Sequence, residues 1–210
     1  SVCMNTPIDE IVYKFEGGAT GVQFSWISPG PLNGVTATNS GTNEFRISGN
    51  PSVNITTNTV YQYQIVTTGS ECSPEITLTG SIEVKPDDLL LLTSAVGTDN
   101  QDICVGGLPV ANDLIDITYE LRNGAQSASV IGLPPGIGFS INASGTLRIS
   151  GTAQASASLS SSTISPYIYT VTTIGCSPFV MNGTINIIPK PEMILAVGAE
   201  FQEPVCNNTP

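Results

Sequence analysis

With 210 residues, 40% of them apolar, the chain is long enough for one large domain or two ordinary ones with buried cores. Its 17 acidic and 6 basic residues give a net charge of −11, which excludes the basic patch a nucleic acid needs and disfavours an anionic membrane surface. There is no histidine, so the commonest general base is missing and a zinc site is improbable.

Charged residues make up only 11%, so the polar surface has to be built from Ser, Thr, Asn and Gly. In chain order, Ile11, Tyr13 and Phe15 alternate with Val12, Lys14 and Glu16, a half-buried strand. Gly17-Gly18 follows at a hairpin position, where positive φ is needed. Tyr61, Tyr63, Ile65 and Thr67 form a second period-two series, and Ile76, Leu78 and Ile82 precede a strand closed by Pro86. Leu89 to Leu92 is the longest apolar cluster; it has strand length, and no run reaches the 18 or so residues of a membrane span. Ile115, Ile117, Tyr119 and Leu121 then alternate with Asp116, Thr118, Glu120 and Arg122, with Asn123-Gly124 at the next hairpin position. Tyr167, Tyr169, Val171 and Thr173 repeat the second series, Val180 and Ile185 lie before the closing Pro189, and no stretch has helical spacing with caps.

The chain repeats itself. Cys3, Cys104 and Cys206 recur at intervals of 101 and 102 residues. Phe45-Arg46-Ile47-Ser48-Gly49 returns as Leu147-Arg148-Ile149-Ser150-Gly151, and Gly80-Ser81-Ile82-Glu83-Val84 returns as Gly183-Thr184-Ile185-Asn186-Ile187. Thr67 to Pro74 returns as Thr172 to Pro178, and even the connector Ala95-Val96-Gly97 returns as Ala196-Val197-Gly198. A period of this size matches a self-contained domain, so the chain is read as beads on a string. Residues 1–86 form one repeat short of its leading strand, residues 87–189 a complete one, and residues 190–210 open a third. Six or seven short strands per hundred residues predict an all-β chain of tandem immunoglobulin-like sandwiches, each with one disulfide; a closed barrel is the alternative.

Five cysteines without a C-x-x-C motif do not suggest redox chemistry. Each complete repeat holds two, so the repetition predicts Cys3–Cys72 and Cys104–Cys176, with Cys206 left over. Each bond would tie the start of a bead to the loop before its own final strand. Closing such a loop is worth on the order of 4 kcal/mol in the chain-entropy model, and the bonds imply an oxidising compartment. Buried free thiols in a reducing compartment are the rival reading.

No Ser or Thr sits in a nucleophile elbow, no lysine stands in an S-x-x-K setting, and no glycine-rich phosphate loop opens a helix, so no enzyme is expected. The acids Asp87, Asp88, Asp99 and Asp102, with Asp113 and Asp116 further on, surround the joint between repeats. Carboxylates there can hold Ca²⁺; the rival reading is a solvated acidic linker, and no D-x-[DN]-x-[DN]-G loop exists. Trp26, the only Trp, aligns with Gly132 in the other repeat. It is a candidate sugar or surface contact, against the alternative that it packs beneath its own loop.

Several of these motifs resemble the PKD-like/immunoglobulin-like repeats of giant cell-surface adhesins of gliding Bacteroidetes. They are the leader Leu92 to Cys104, Val2-Cys3-Met4-Asn5-Thr6-Pro7-Ile8, Gly17 to Gly21, Gly132-Leu133-Pro134-Pro135-Gly136 and Tyr169 to Cys176. The first repeat departs from the pattern, with Ile27-Ser28-Pro29-Gly30 in place of the Leu-Pro-Pro-Gly form. The resemblance implies export by the type IX secretion machinery and display on the exterior of the outer membrane. It also implies a long filament in which neighbouring repeats are partners and the substratum or a polysaccharide is the target, without membrane insertion. Agreement between the copies lies in core, turns and joints while the loops differ, which favours a stalk over a binding module carried by Trp26.

Overall fold

A computed structural model of the chain describes residues 1–41, 43–69, 75–104, 114–154 and 164–188. Among them every regular element is a strand. The first seven are β1 (Val2–Cys3), β2 (Ile11–Lys14), β3 (Gly21–Ser28), β4 (Val35–Ser40), β5 (Glu44–Gly49), β6 (Thr59–Thr68) and β7 (Thr77–Lys85). Eight more follow: β8 (Asp88–Leu92), β9 (Asn100–Cys104), β10 (Ile117–Asn123), β11 (Ser127–Ile131), β12 (Ile137–Ile141), β13 (Thr146–Gly151), β14 (Ser165–Ile174) and β15 (Val180–Ile188).

These strands form two sandwiches. In the first, the sheet β1-β7-β6-β3 faces the sheet β2-β5-β4; in the second, β9-β15-β14-β11 faces β8-β10-β13-β12. Among the described residues the sheets stay open at their edges, so the architecture is a sandwich and not a closed barrel. Each sandwich closes over its own core. Phe15, Phe45, Ile47, Tyr63, Ile65 and Val84 lead the first, and Tyr119, Leu147, Ile149, Tyr169, Ile185 and Ile187 the second. The period-two series point inward as the alternation requires. Tyr61, Tyr63 and Ile65 are buried on β6, Tyr169, Val171 and Thr173 on β14, and Ile117, Tyr119 and Leu121 on β10, whereas Ile115 lies outside the strand and is exposed.

One contact recurs in both cores. The Tyr13 and Tyr63 hydroxyls are 2.9 Å apart, and so are those of Tyr119 and Tyr169. Each pair bridges the two sheets and gives the phenols a partner inside the sandwich; the Tyr169 hydroxyl also donates to the Asp99 carbonyl at 3.3 Å. The recurring Gly80 and Gly183 make this possible, because a Cβ at either would overlap the ring of Tyr63 or Tyr169.

The two expected hairpins are not hairpins. β2 and β3 belong to opposite sheets, as do β10 and β11, so Gly17-Gly18 and Asn123-Gly124 form corners that carry the chain across the sandwich. Positive φ is still needed there, at Gly17, Gly18 and Asn123. Gly124 is required for space instead: a Cβ would run into the Pro86 carbonyl. Local turn chemistry signals a reversal but not which sheet receives the next strand.

Candidate functional site at the joint between the sandwiches

β7 ends at Lys85 and β8 begins at Asp88, so only Pro86 and Asp87 separate the two sandwiches. A connection this short holds the end of the first sandwich against the near pole of the second, where the corner at Gly124 and the β14–β15 loop lie. The Gly124 amide donates to the Asp87 carbonyl at 3.2 Å.

Asp88 organises this pole. Its side chain is 5% exposed, and a carboxylate is tolerated at that depth only when fully hydrogen-bonded. Oδ2 accepts from the Thr173 hydroxyl at 2.7 Å and Oδ1 from the Cys176 amide at 2.9 Å. Its own amide donates to the Ser177 carbonyl at 3.3 Å. The Thr173 hydroxyl oxygen in turn accepts from the Phe179 amide at 2.7 Å. Gly175 has no side chain because a Cβ would collide with the Asp88 carboxylate. One carboxylate thereby pins the whole loop from Thr173 to Phe179. The first sandwich repeats the outer half of this arrangement, with the Ile76 amide donating to the Thr67 hydroxyl at 2.9 Å.

The pinned loop presents Cys176 to the neighbouring sandwich, where it is bonded to Cys3 with the Cα atoms 5.4 Å apart. This corrects the expected pairs Cys3–Cys72 and Cys104–Cys176. The reason is the direction of the leading strand. β1 runs parallel to β7 with Cys3 level with Lys85, and β9 runs parallel to β15 with Cys104 level with Ile188. The leading cysteine therefore lies beside the end of the final strand, while the loop cysteine precedes the start of that strand. Nine residues of β15 put about 30 Å between those poles, far beyond the 4.4–6.8 Å Cα separation a disulfide spans. The pole of one sandwich that carries Cys3 abuts the pole of the next that carries Cys176. The bond joins consecutive repeats and does not close one of them. Its loop of 173 residues is worth about 5 kcal/mol on the chain-entropy model. Cys72 and Cys206 lie outside the described residues.

Beside the bond a cleft of about 420 Å³ is lined by Val2, Lys85, Asn123, Gln126 and Ile174 together with the two cysteines. The other expected site residues are dispersed. The Asp102 carboxylate accepts from the Asn186 amide group at 2.8 Å. Asp116 accepts from Arg148 Nε at 2.9 Å, the counterpart of the Glu10–Arg46 pair at 2.5 Å in the first repeat. With Asp88 committed to its loop, no group of three potential metal-ligating side chains forms among the described residues, and Asp113 lies outside them. Trp26 is half-buried on β3 opposite Tyr63. Its ring centroid lies 5.1 Å from that of Phe24 and 5.9 Å from that of Tyr63, against the first core. Its aligned residue Gly132 lies just beyond the end of β11, where a Cβ would run into the Ile168 carbonyl, so the second sandwich does without the ring.

Sequence reasoning placed Asp88 among the joint acids but missed its partners. The available signal was the recurrence of a Thr six residues or fewer before each loop cysteine, Thr67 before Cys72 and Thr173 before Cys176.

No family model matches the chain, and no curated protein matches it. Among solved structures, the protocadherin GammaB4 extracellular domain is similar at 15% identity and a TM-score of 0.41, over 89% of this chain and 32% of that one. Drosophila N-cadherin EC1-4 is similar at 9% identity and a TM-score of 0.41, over 81% and 41%. An endo-fucoidan hydrolase of glycoside hydrolase family 107 is similar at 13% and 0.31, over 90% and 27%. The chain thus spans less than half the length of each. The sandwich fold stands on the strand pairing described above, and these likenesses add nothing about activity or partners.

Proposed function

We propose that the chain is a stretch of an extracellular stalk, a non-enzymatic segment of a large cell-surface adhesin whose repeats hold an adhesive region away from the cell. The observation that carries this reading is the Cys3–Cys176 bond between consecutive sandwiches. A covalent tie across a joint that already has only two connecting residues fixes the relative position of the beads, which serves a spacer. The same bond supports an oxidising compartment for the chain. On this reading the repeats are residues 1–86 and 87–189, and residues 190–210 open a third.

The finer identification rests on the sequence motifs: a SprB-type gliding adhesin, exported by the type IX secretion machinery and displayed on the outer-membrane exterior. Many weak contacts along such a filament would add up through multivalency. A carbohydrate-binding role centred on Trp26 has less support, because that ring packs on the core and its counterpart is a glycine. The joint acids favour a calcium-free joint, since Asp88 and Asp116 already have protein partners.

Incubating the 210-residue chain on a glycan array and on glass and polysaccharide-coated surfaces tests the reading. Retention at or below the level of an unrelated sandwich domain is expected. Strong binding by this two-repeat piece to one glycan class would replace the stalk with a binding module.

A further inference from the structure

We infer that the Cys3–Cys176 bond is a mechanical bypass: under tension along the chain it carries the load past the first sandwich and most of the second. The inference follows from where the bond enters and leaves the chain. Pulling on the two termini, force enters at residue 1 and reaches Cys3 after two peptide units. It crosses the disulfide to Cys176 and continues along β15 towards the C-terminal end. Residues 4–175 lie off this shortest covalent path. They contain all of the first core and every strand of the second sandwich except β15. Because the two Cα atoms are only 5.4 Å apart, the bypassed segment contributes almost no length while the bond is intact.

The placement suits this role. The loop cysteine is not left on a flexible tip; its amide is held by Asp88, which starts the first strand after the connection. The leading cysteine ends a two-residue strand paired with the last residues of β7, so its pull is delivered beside the joint and not into a core. A bond within a single sandwich would have left the joint itself exposed to load. Here the joint, the connection at Pro86 and Asp87 and the first sandwich are all bypassed together.

The consequence is a chain that resists extension when oxidised and lengthens greatly when the bond is reduced. A dithiol reductant supplies two electrons and two protons, the S–S bond becomes two thiols, and the reductant leaves as its own disulfide. Residues 4–175 then come under load, and a sequence separation of 173 yields roughly 590 Å of contour as the two sandwiches unfold.

This deepens the stalk reading and rests on it for its use, but its test is separate. The complete chain is held by its termini in a single-molecule force instrument, before and after treatment with dithiothreitol. Oxidised chains are expected to extend only by the tails outside the loop, residues 1–3 and 176–210, on the order of 130 Å. Reduced chains are expected to gain the further length in two unfolding steps. Oxidised chains of the Cys3→Ser/Cys176→Ser variant should gain length that oxidised native chains withhold. If that variant does not fold, the comparison of oxidised with reduced native chain decides alone. Release of the full length by oxidised native chains would overturn the bypass and leave the glycan result untouched; glycan binding would overturn the stalk and leave the force curve untouched.

Discussion

The tyrosine pairs show how a single side chain can tie the two faces of a sandwich and make its stability depend on pH. Burial raises the Tyr63 and Tyr169 hydroxyls above the ordinary value of 10.0, and the hydrogen bond shared with the facing tyrosine adds to the effect. Tyr119 is raised as well, again chiefly by burial. In the unfolded chain these groups titrate near 10. The folded state therefore holds the proton more tightly, its stability is complete below pH 10, and it is lost as pH climbs above that value. The slope approaches about 1.4 kcal/mol per pH unit for each tyrosine kept neutral in the fold. Thermal melts of the oxidised chain at pH 9, 10 and 11 should show an onset of destabilisation near 10, weakened in Tyr169→Phe. A melting temperature that stays flat to pH 11 would contradict it. Gly80 and Gly183 belong to the same device, and their recurrence in the sequence was the visible trace of rings that are not adjacent in sequence.

Among the elements, the β14–β15 loop is the one whose form depends on a residue from another strand. Asp88 at the head of β8 holds it through the Thr173 hydroxyl and the Cys176 amide. Each hydrogen bond to a buried carboxylate is worth about 1.5–3 kcal/mol. Asp88→Ala should therefore lower the stability of the second sandwich by about 3 kcal/mol, read by chemical denaturation, with the first sandwich unaffected. A loss below about 0.5 kcal/mol would mean that the loop holds itself. The corners at Gly17-Gly18 and Asn123-Gly124 teach the complementary lesson. Their residues announced a turn correctly, but a turn within one sheet and a crossing between sheets need the same positive φ. Only the strand partners of β3 and β11 distinguish the two.

For the whole molecule, the covalent connection of the sandwiches is the decisive feature. Digestion of the non-reduced chain followed by mass spectrometry should recover one peptide containing Cys3 linked to one containing Cys176. Recovery of Cys3 with Cys72 would restore closure within a repeat and remove both the fixed joint and the bypass. The pairing matters because it determines whether the array is a row of independently closed beads or a chain tied from each bead to the next.

The repeat, the all-β class and the inward faces of β6, β10 and β14 were legible in the order of the residues. Those depend on local quantities: side-chain alternation, glycine at tight places and the spacing of recurring motifs. The same order supplied the two kinds of cysteine, leading and loop. Tertiary structure alone decided which leading cysteine meets which loop. That choice depends on β1 running parallel to β7, which puts Cys3 at the far pole of its own sandwich and within 5.4 Å of Cys176 in the next. A bond between residues 173 apart in sequence is chosen by distance in space, and repetition in sequence carries no record of strand direction.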